Sequence, residues 1–212
     1  MLIGISGKAG SGKDQMADFL MNVFDTEYNK KFIKKCFADD LKSMCKEHFG
    51  LDYDQMYGNK KEVEDTRFMK YTMGGDPEYS VFWTPREIMQ SFGEFYRSLD
   101  CDFWVRKLNT SLVLSKVDGY EDVIIPDVRH INEAEYIKKE GGFLIRINRK
   151  VDGIHNSEHI SEIGLDNYKH FDIDIDNNSD LDKLKESSKH VAKAILFLHN
   201  MSIKKGVTVH GK

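Results

Sequence analysis

Residues 1–14 read Met1-Leu-Ile-Gly-Ile-Ser-Gly7-Lys8-Ala9-Gly10-Ser11-Gly12-Lys13-Asp14. An apolar run enters Gly7-x-x-x-x-Gly12-Lys13, and a helical pattern leaves it with Met16, Phe19, Leu20 and Val23 on one face. Strand, glycine loop and helix in this order are the context in which the spacing binds phosphate, and the stretch reads as a P-loop. Gly7, Gly10 and Gly12 let the backbone turn tightly and aim its N–H groups, those of Lys8, Ala9 and Ser11 included, at an anion. The helix that starts near Lys13 adds its positive end, and Lys13 itself can reach the outer phosphates of ATP. Asp14 stands where Ser or Thr commonly holds magnesium; a carboxylate can hold Mg²⁺ directly or through water.

The rest of the chain fits one α/β domain. It has 212 residues, 40% of them hydrophobic, which suffices for a core and leaves room for an insertion. With 31 basic and 35 acidic residues, net charge −4, no basic face points to nucleic acid. Cys36, Cys45 and Cys101 have no metal-ligand spacing, and their odd number fits a reduced, cytoplasmic setting. Lys8 and Lys13 interrupt the N-terminal apolar stretch, so no signal peptide is expected, and no run is long enough to span a membrane.

Hydrophobic patterning predicts five strands, at 2–6, 32–38, 123–126, 143–148 and 171–176, alternating with helices at about 13–24, 40–49, 84–99, 102–114, 132–140 and 181–199. That alternation implies a P-loop NTPase fold, with a central, mostly parallel five-stranded sheet flanked by helices. Residues 50–83 show little periodicity and read as a surface excursion, a cap over a substrate. Residues 149–170 are polar and read as a lid. Residues 203–212 read as a frayed tail beyond a domain at 1–202. Thr84-Pro85-Arg86-Glu87 is a strong helix start, with an N-cap, a proline in the first turn and a capping box.

Within that helix, Arg86, Gln90, Gly93 and Arg97 fall within roughly 60° of one another at about 100° per residue. Guanidinium forks suit phosphate oxygens, and Gln90 suits a base edge or sugar; a solvated face with a helix-contact glycine is the alternative. Val-Ile-Ile-Pro-Asp127-Val-Arg129 ends an apolar strand in a carboxylate, where P-loop enzymes place the acid that steadies Mg²⁺. Arg129 follows at the same sheet edge and can clamp a phosphate. Arg146 and Arg149 flank the end of the next strand. Arg149 opens the lid stretch that holds His155, Asn156, Ser157, Glu158 and His159, where a closing arginine can neutralise charge moving between phosphates; an ordinary exposed loop is the alternative. The two histidines lack the partners a zinc site needs. Asp172, Asp174 and Asp176 alternate along a strand and belong to its solvated face. Asn177-Asn178-Ser179 follows the last strand beside the P-loop, where it can border the adenine of ATP, cap the following helix, or do both.

Taken in order, these motifs resemble the deoxynucleoside monophosphate kinases of tailed bacteriophages, which are adenylate-kinase-like P-loop kinases. The resemblance spans about residues 1–195. It is carried by Gly12-Lys13-Asp14, by Phe37-Ala-Asp39-Asp-Leu-Lys42, and by Arg86-x-x-x-Gln90-x-x-Gly93 with Arg97 and Trp104. Asp127-Val-Arg129-x-x-Asn132-Glu133 and Ser157-Glu158 complete it. Asp40 departs from the pattern, where Pro is expected. The resemblance implies ATP- and Mg²⁺-dependent phosphorylation of deoxynucleoside monophosphates to diphosphates for phage DNA precursor synthesis. It implies a monophosphate-binding region at 38–83 and a lid at 149–170. Lys13 and the loop amides would hold the β- and γ-phosphates, with Asp14 and Asp127 around Mg²⁺. Arg86, Arg97 and Arg129 would hold the acceptor phosphate or the transferring group. Asp39, Lys42, Gln90 and Trp104 would make further substrate contacts, and Arg149 would close the lid. Another small-molecule P-loop kinase, such as one acting on dephospho-coenzyme A, shares most of these parts, and a nucleotide-binding switch is a rival of another class. The oligomeric state is open, a homodimer included.

Overall fold

The computed structural model describes residues 1–72, 74, 80–150 and 164–204. Its centre is β1 (Leu2–Gly7), whose Ile3 and Ile5 are wholly buried. β1 pairs in parallel with β5 (Asp122–Val128) on one side and β6 (Phe143–Asn148) on the other, Ile3 lying beside Ile124 and Ile5 beside Ile145. β2 (Phe32–Lys34) lies outside β5, and β7 (Ile173–Asp176) lies outside β6. The order is therefore β2-β5-β1-β6-β7, with every pairing parallel. The chain leaves β1 toward β2 but leaves β5 toward β6, on the opposite side of β1. This reversal opens a crevice at the carboxyl ends of β1 and β5, where ligands of such sheets bind.

One face of the sheet is covered by α1 (Lys13–Tyr28) and α7 (Leu181–Lys204). Met16, Ala17, Leu20, Val23 and Phe24 of α1 recur at helical spacing and join Leu184, Val191, Ala192 and Ile195 of α7 in one core with Ile3, Ile5, Ile145, Ile147 and Ile175. Helix α7 continues through Lys204, and residues 205–212, the rest of the expected tail, lie outside the described residues.

The chain divides into two compact units: Met1–Phe37 with Leu108–Lys212, which contains the sheet, and Ala38–Lys107. The second unit holds α2 (Ala38–Phe49), α3 (Tyr53–Met56), a 3-10 turn (Asn59–Glu62), β3 (Asp65–Thr72), β4 (Ser80–Trp83) and α4 (Pro85–Leu99). The first turns of α5 (Phe103–Val117) also belong to it. Cys45, Leu51, Met56, Ile88 and Met89 form its core with Phe49, Phe68 and Phe92 packed around them. α4 begins as its sequence predicts: Thr84 Oγ1 accepts the Glu87 amide at 3.2 Å, and the Glu87 carboxylate accepts the Thr84 amide at 2.9 Å.

Two expectations need correction. Strand β2 ends at Lys34 rather than Ala38, because the Phe37 amide donates to the Asp127 side-chain carboxylate (3.0 Å) instead of to a backbone carbonyl of β5, and Ala38 already belongs to α2. The stretch 50–83 is more regular than its periodicity suggests: β3 and β4 form an antiparallel ribbon. Irregularities in its register, between Asp65 and Met69 and again before Tyr71, break the two-residue alternation by which a strand is recognised.

Candidate active site

The P-loop begins where β1 ends. Gly7 and Gly12 are required there by geometry: a Cβ on Gly7 would stand 2.5 Å from the Ile147 carbonyl oxygen. Gly12 has φ 95°, and a Cβ on it would stand 2.7 Å from Nδ2 of Asn177. The Ser11 amide donates to the Lys8 carbonyl (3.1 Å), and the Met16 amide donates to Gly12 (2.9 Å), so a tight turn opens directly into α1. Lys13 is buried, and its ammonium donates to the carbonyls of Gly7 (2.6 Å) and Lys8 (2.8 Å), which places the charge across the mouth of the loop. Asp14 is exposed in the first turn of α1, and Lys8, Ala9 and Gly10 are exposed at the loop tip.

Asn177 lies one residue beyond β7 and is buried. Its side-chain amide donates to the Ser11 carbonyl (2.9 Å), and its own backbone amide donates to Asn148 (2.7 Å). Asn177 thus ties the P-loop to the ends of β6 and β7. One N–H of its Nδ2 holds the loop backbone, so Asn177 braces the loop from the last strand.

Asp127 lies near the end of β5, beside β1, and so at the crevice. The backbone after it is held by Glu133, which is buried in α6 (Ile131–Lys139) and accepts the amides of Arg129 (2.8 Å) and His130 (3.1 Å). Two amides on one carboxylate fix the turn that presents Arg129, which is half-buried. The Glu133 clamp was visible in the sequence only as part of a motif; its spacing from His130 is that of a capping box. Arg149 is exposed just after β6, while residues 151–163, with His155, Asn156, Ser157, Glu158 and His159, lie outside the described residues.

In the second unit, α4 carries Arg86, Gln90, Gly93 and Arg97. Arg86 is half-buried and ion-paired with Glu62, while Arg97 pairs with Glu94 at 3.3 Å. Gly93 is the helix-contact glycine, since a Cβ there would meet Leu41 and the Arg97 guanidinium at 3.4 Å. Trp104 is 2% exposed, and its indole N–H donates to the Gly93 carbonyl (3.1 Å). It sits against Tyr96 and Phe103, so its indole is packed in the aromatic cluster of this unit. Asp39 is exposed in the first turn of α2, and Lys42 lies over the Tyr57 ring, 3.9 Å from its centroid.

Asp65 anchors this unit. It accepts Arg67 Nη2 (2.5 Å), Arg67 Nε (2.9 Å) and Gln55 Nε2 (2.7 Å), and Gln55 also closes the capping box of α3. The hydrogen bonds from Arg67 lead in holding the Asp65 carboxyl down to about 2, against its burial. Burial pushes the Cys45 thiol up to about 11, so it stays protonated and inert.

A parallel sheet in this strand order, with a P-loop and a following Asp at its switch point, defines a P-loop nucleotide-binding protein. The family model described as deoxynucleotide monophosphate kinase matches residues 59–188, more than half of the chain. A putative deoxynucleotide monophosphate kinase of Acanthamoeba polyphaga mimivirus is 33% identical over 196 residues, covering 86% of this chain and 91% of its own. The deoxynucleotide monophosphate kinase of Enterobacteria phage T4 is 25% identical over 241 residues, covering 92% and 99%. Among solved structures, shikimate kinase from Aquifex aeolicus aligns over 96% of this chain and 99% of its own, with 13% identity and a TM-score of 0.40. The chain belongs to the deoxynucleotide monophosphate kinase family and is a phosphotransferase of the nucleoside monophosphate kinase type. No helix among the described residues is long and apolar enough to cross a membrane.

Proposed function

We propose that the protein transfers the γ-phosphoryl group of ATP to deoxynucleoside monophosphates, yielding diphosphates for viral DNA synthesis. The observation that carries this reading is the buried Lys13 ammonium inside a P-loop at the switch point, beside the Asp127–Arg129 turn. Lys13 and the loop amides bind the β- and γ-phosphates. The acceptor phosphate is already a nucleophile at neutral pH, so no general base is required; alignment and charge neutralisation carry the rate. Arg86 and Arg97 bind the acceptor phosphate, Arg129 the transferring group, and Arg149 neutralises charge over it. Asp39, Lys42 and Gln90 contact base and sugar, in a monophosphate-binding unit built around residues 38–83.

Asp14 and Asp127 supply oxygen donors at the loop and at the adjacent strand end, a set that suits Mg²⁺, which takes one or two carboxylates together with phosphates and water. When bound, the ion would neutralise phosphate charge.

A coupled ADP-release assay against all deoxy- and ribonucleoside monophosphates tests the reading, and turnover with none of them refutes it. Deoxynucleotides should be preferred in kcat/KM by roughly ten- to a few hundredfold, because steric exclusion of a 2′-hydroxyl discriminates only modestly. Equal values for the ribonucleotides would overturn that preference.

A further inference from the structure

Asp166 is tied to the P-loop although it belongs to no motif in the chain. Its carboxylate meets two cations: Nζ of Lys8, the residue after Gly7, at 3.3 Å, and Nη2 of Arg146 at 2.7 Å. The two cations differ in kind. Arg146 lies in β6 beside Ser6, donates from Nη1 to Ser6 Oγ (3.0 Å), and has its guanidinium 5.6 Å from the centre of the Phe171 ring. Its side chain is only 12% exposed, so it is pinned. The Lys8 side chain is 58% exposed, stands on a flexible stem, and makes a longer, solvent-screened pair. Such a pair contributes little and exchanges readily for a stronger anion.

Resting on the reading of this loop as the donor site, we propose that Asp166 is an internal anion that competes with donor phosphate for Lys8 and so sets the affinity for the nucleotide. Two effects act in the same direction. The carboxylate holds Lys8 away from a phosphate, and its charge repels the polyphosphate that the loop amides and Lys13 attract. Asp166 therefore acts through Lys8 and is not itself a ligand of the nucleotide. Through Arg146 it also sets the charge next to Ser6, the residue that leads into the loop.

The test is calorimetric titration of ATP into the full-length protein without acceptor, at low and high ionic strength. Asp166→Asn keeps the shape and an oxygen for Arg146 but removes the charge. It should bind ATP about two- to fivefold more tightly at low salt, a gain that shrinks as salt screens the pair. Lys8→Ala should weaken binding, and adding Asp166→Asn to it should recover less than it gains in the wild type, because the two residues interact. Asp166→Glu keeps the charge and should stay within about twofold of wild type. If Asp166→Asn binds ATP equally or more weakly, or if Asp166→Glu tightens binding as much as Asp166→Asn does, the charge of Asp166 is not what sets the affinity and the proposal falls alone. Wild-type protein that binds no ATP would remove the donor-site reading and the proposal with it.

Discussion

Lys13 combines burial with charge in a way that defines its task. A lysine that is 7% exposed, with its ammonium held by two loop carbonyls, is oriented before any phosphate arrives. Lys13→Ala should therefore lower kcat by about a hundredfold or more, the scale of losing one preorganised electrostatic contact, while circular dichroism stays unchanged. Turnover near wild type would show that phosphate is transferred elsewhere. The proposed function gives Arg86 and Arg97 to the other substrate. Arg86→Ala and Arg97→Ala should each raise the KM for the monophosphate by roughly ten- to a hundredfold, the loss of a charge-assisted hydrogen bond of about 1.5–3 kcal/mol, with ATP affinity unchanged. A fall in ATP affinity instead would assign the pair to the donor. Trp104 shows where reading by residue ends. An indole is apolar in body and polar at one edge, and only the structure shows that its body packs in the unit and its N–H meets the Gly93 carbonyl.

Elements were legible wherever local chemistry decides them. Thr84-Pro85-Arg86-Glu87 starts α4 as expected, because a capping box satisfies its own amides without help from the rest of the chain. The β3–β4 ribbon was not legible, since an irregular register erases alternation. What holds that ribbon's start is the Asp65 cluster, and it makes stability depend on pH. The folded carboxyl sits at about 2, below its ordinary 3.8, so the unfolded state binds the proton more readily. The stabilisation is complete above about pH 4 and is lost as pH falls through about 2. Asp65→Asn should cost about 2 kcal/mol at pH 7, with the gap to wild type narrowing below pH 4, as read from urea midpoints at pH 7, 5, 4 and 3. A gap independent of pH would show that shape rather than charge holds the cluster.

At the scale of the whole molecule, a bound donor should stabilise the unit that carries the P-loop. ATP at a hundred times its Kd contributes about 2.7 kcal/mol, which for a chain of this length should raise Tm by roughly 5–10 °C. An unchanged melting curve would contradict nucleotide binding. The sequence alone determined the P-loop, the alternation of strands and helices and hence the parallel sheet, because these follow from glycine spacing and from periodicity within a few residues. It also marked Asp127 and Arg129, since an acid at the end of an all-apolar strand has a known place in such a sheet. Only the tertiary structure decided the strand order that creates the crevice, the strut from Asn177 to Ser11, and the link from Asp166 to Lys8 and Arg146. The strut and the Lys8 link join residues more than 150 positions apart. Nothing in local spacing encodes such a pairing; it appears only when the strands align and their ends are brought to one edge.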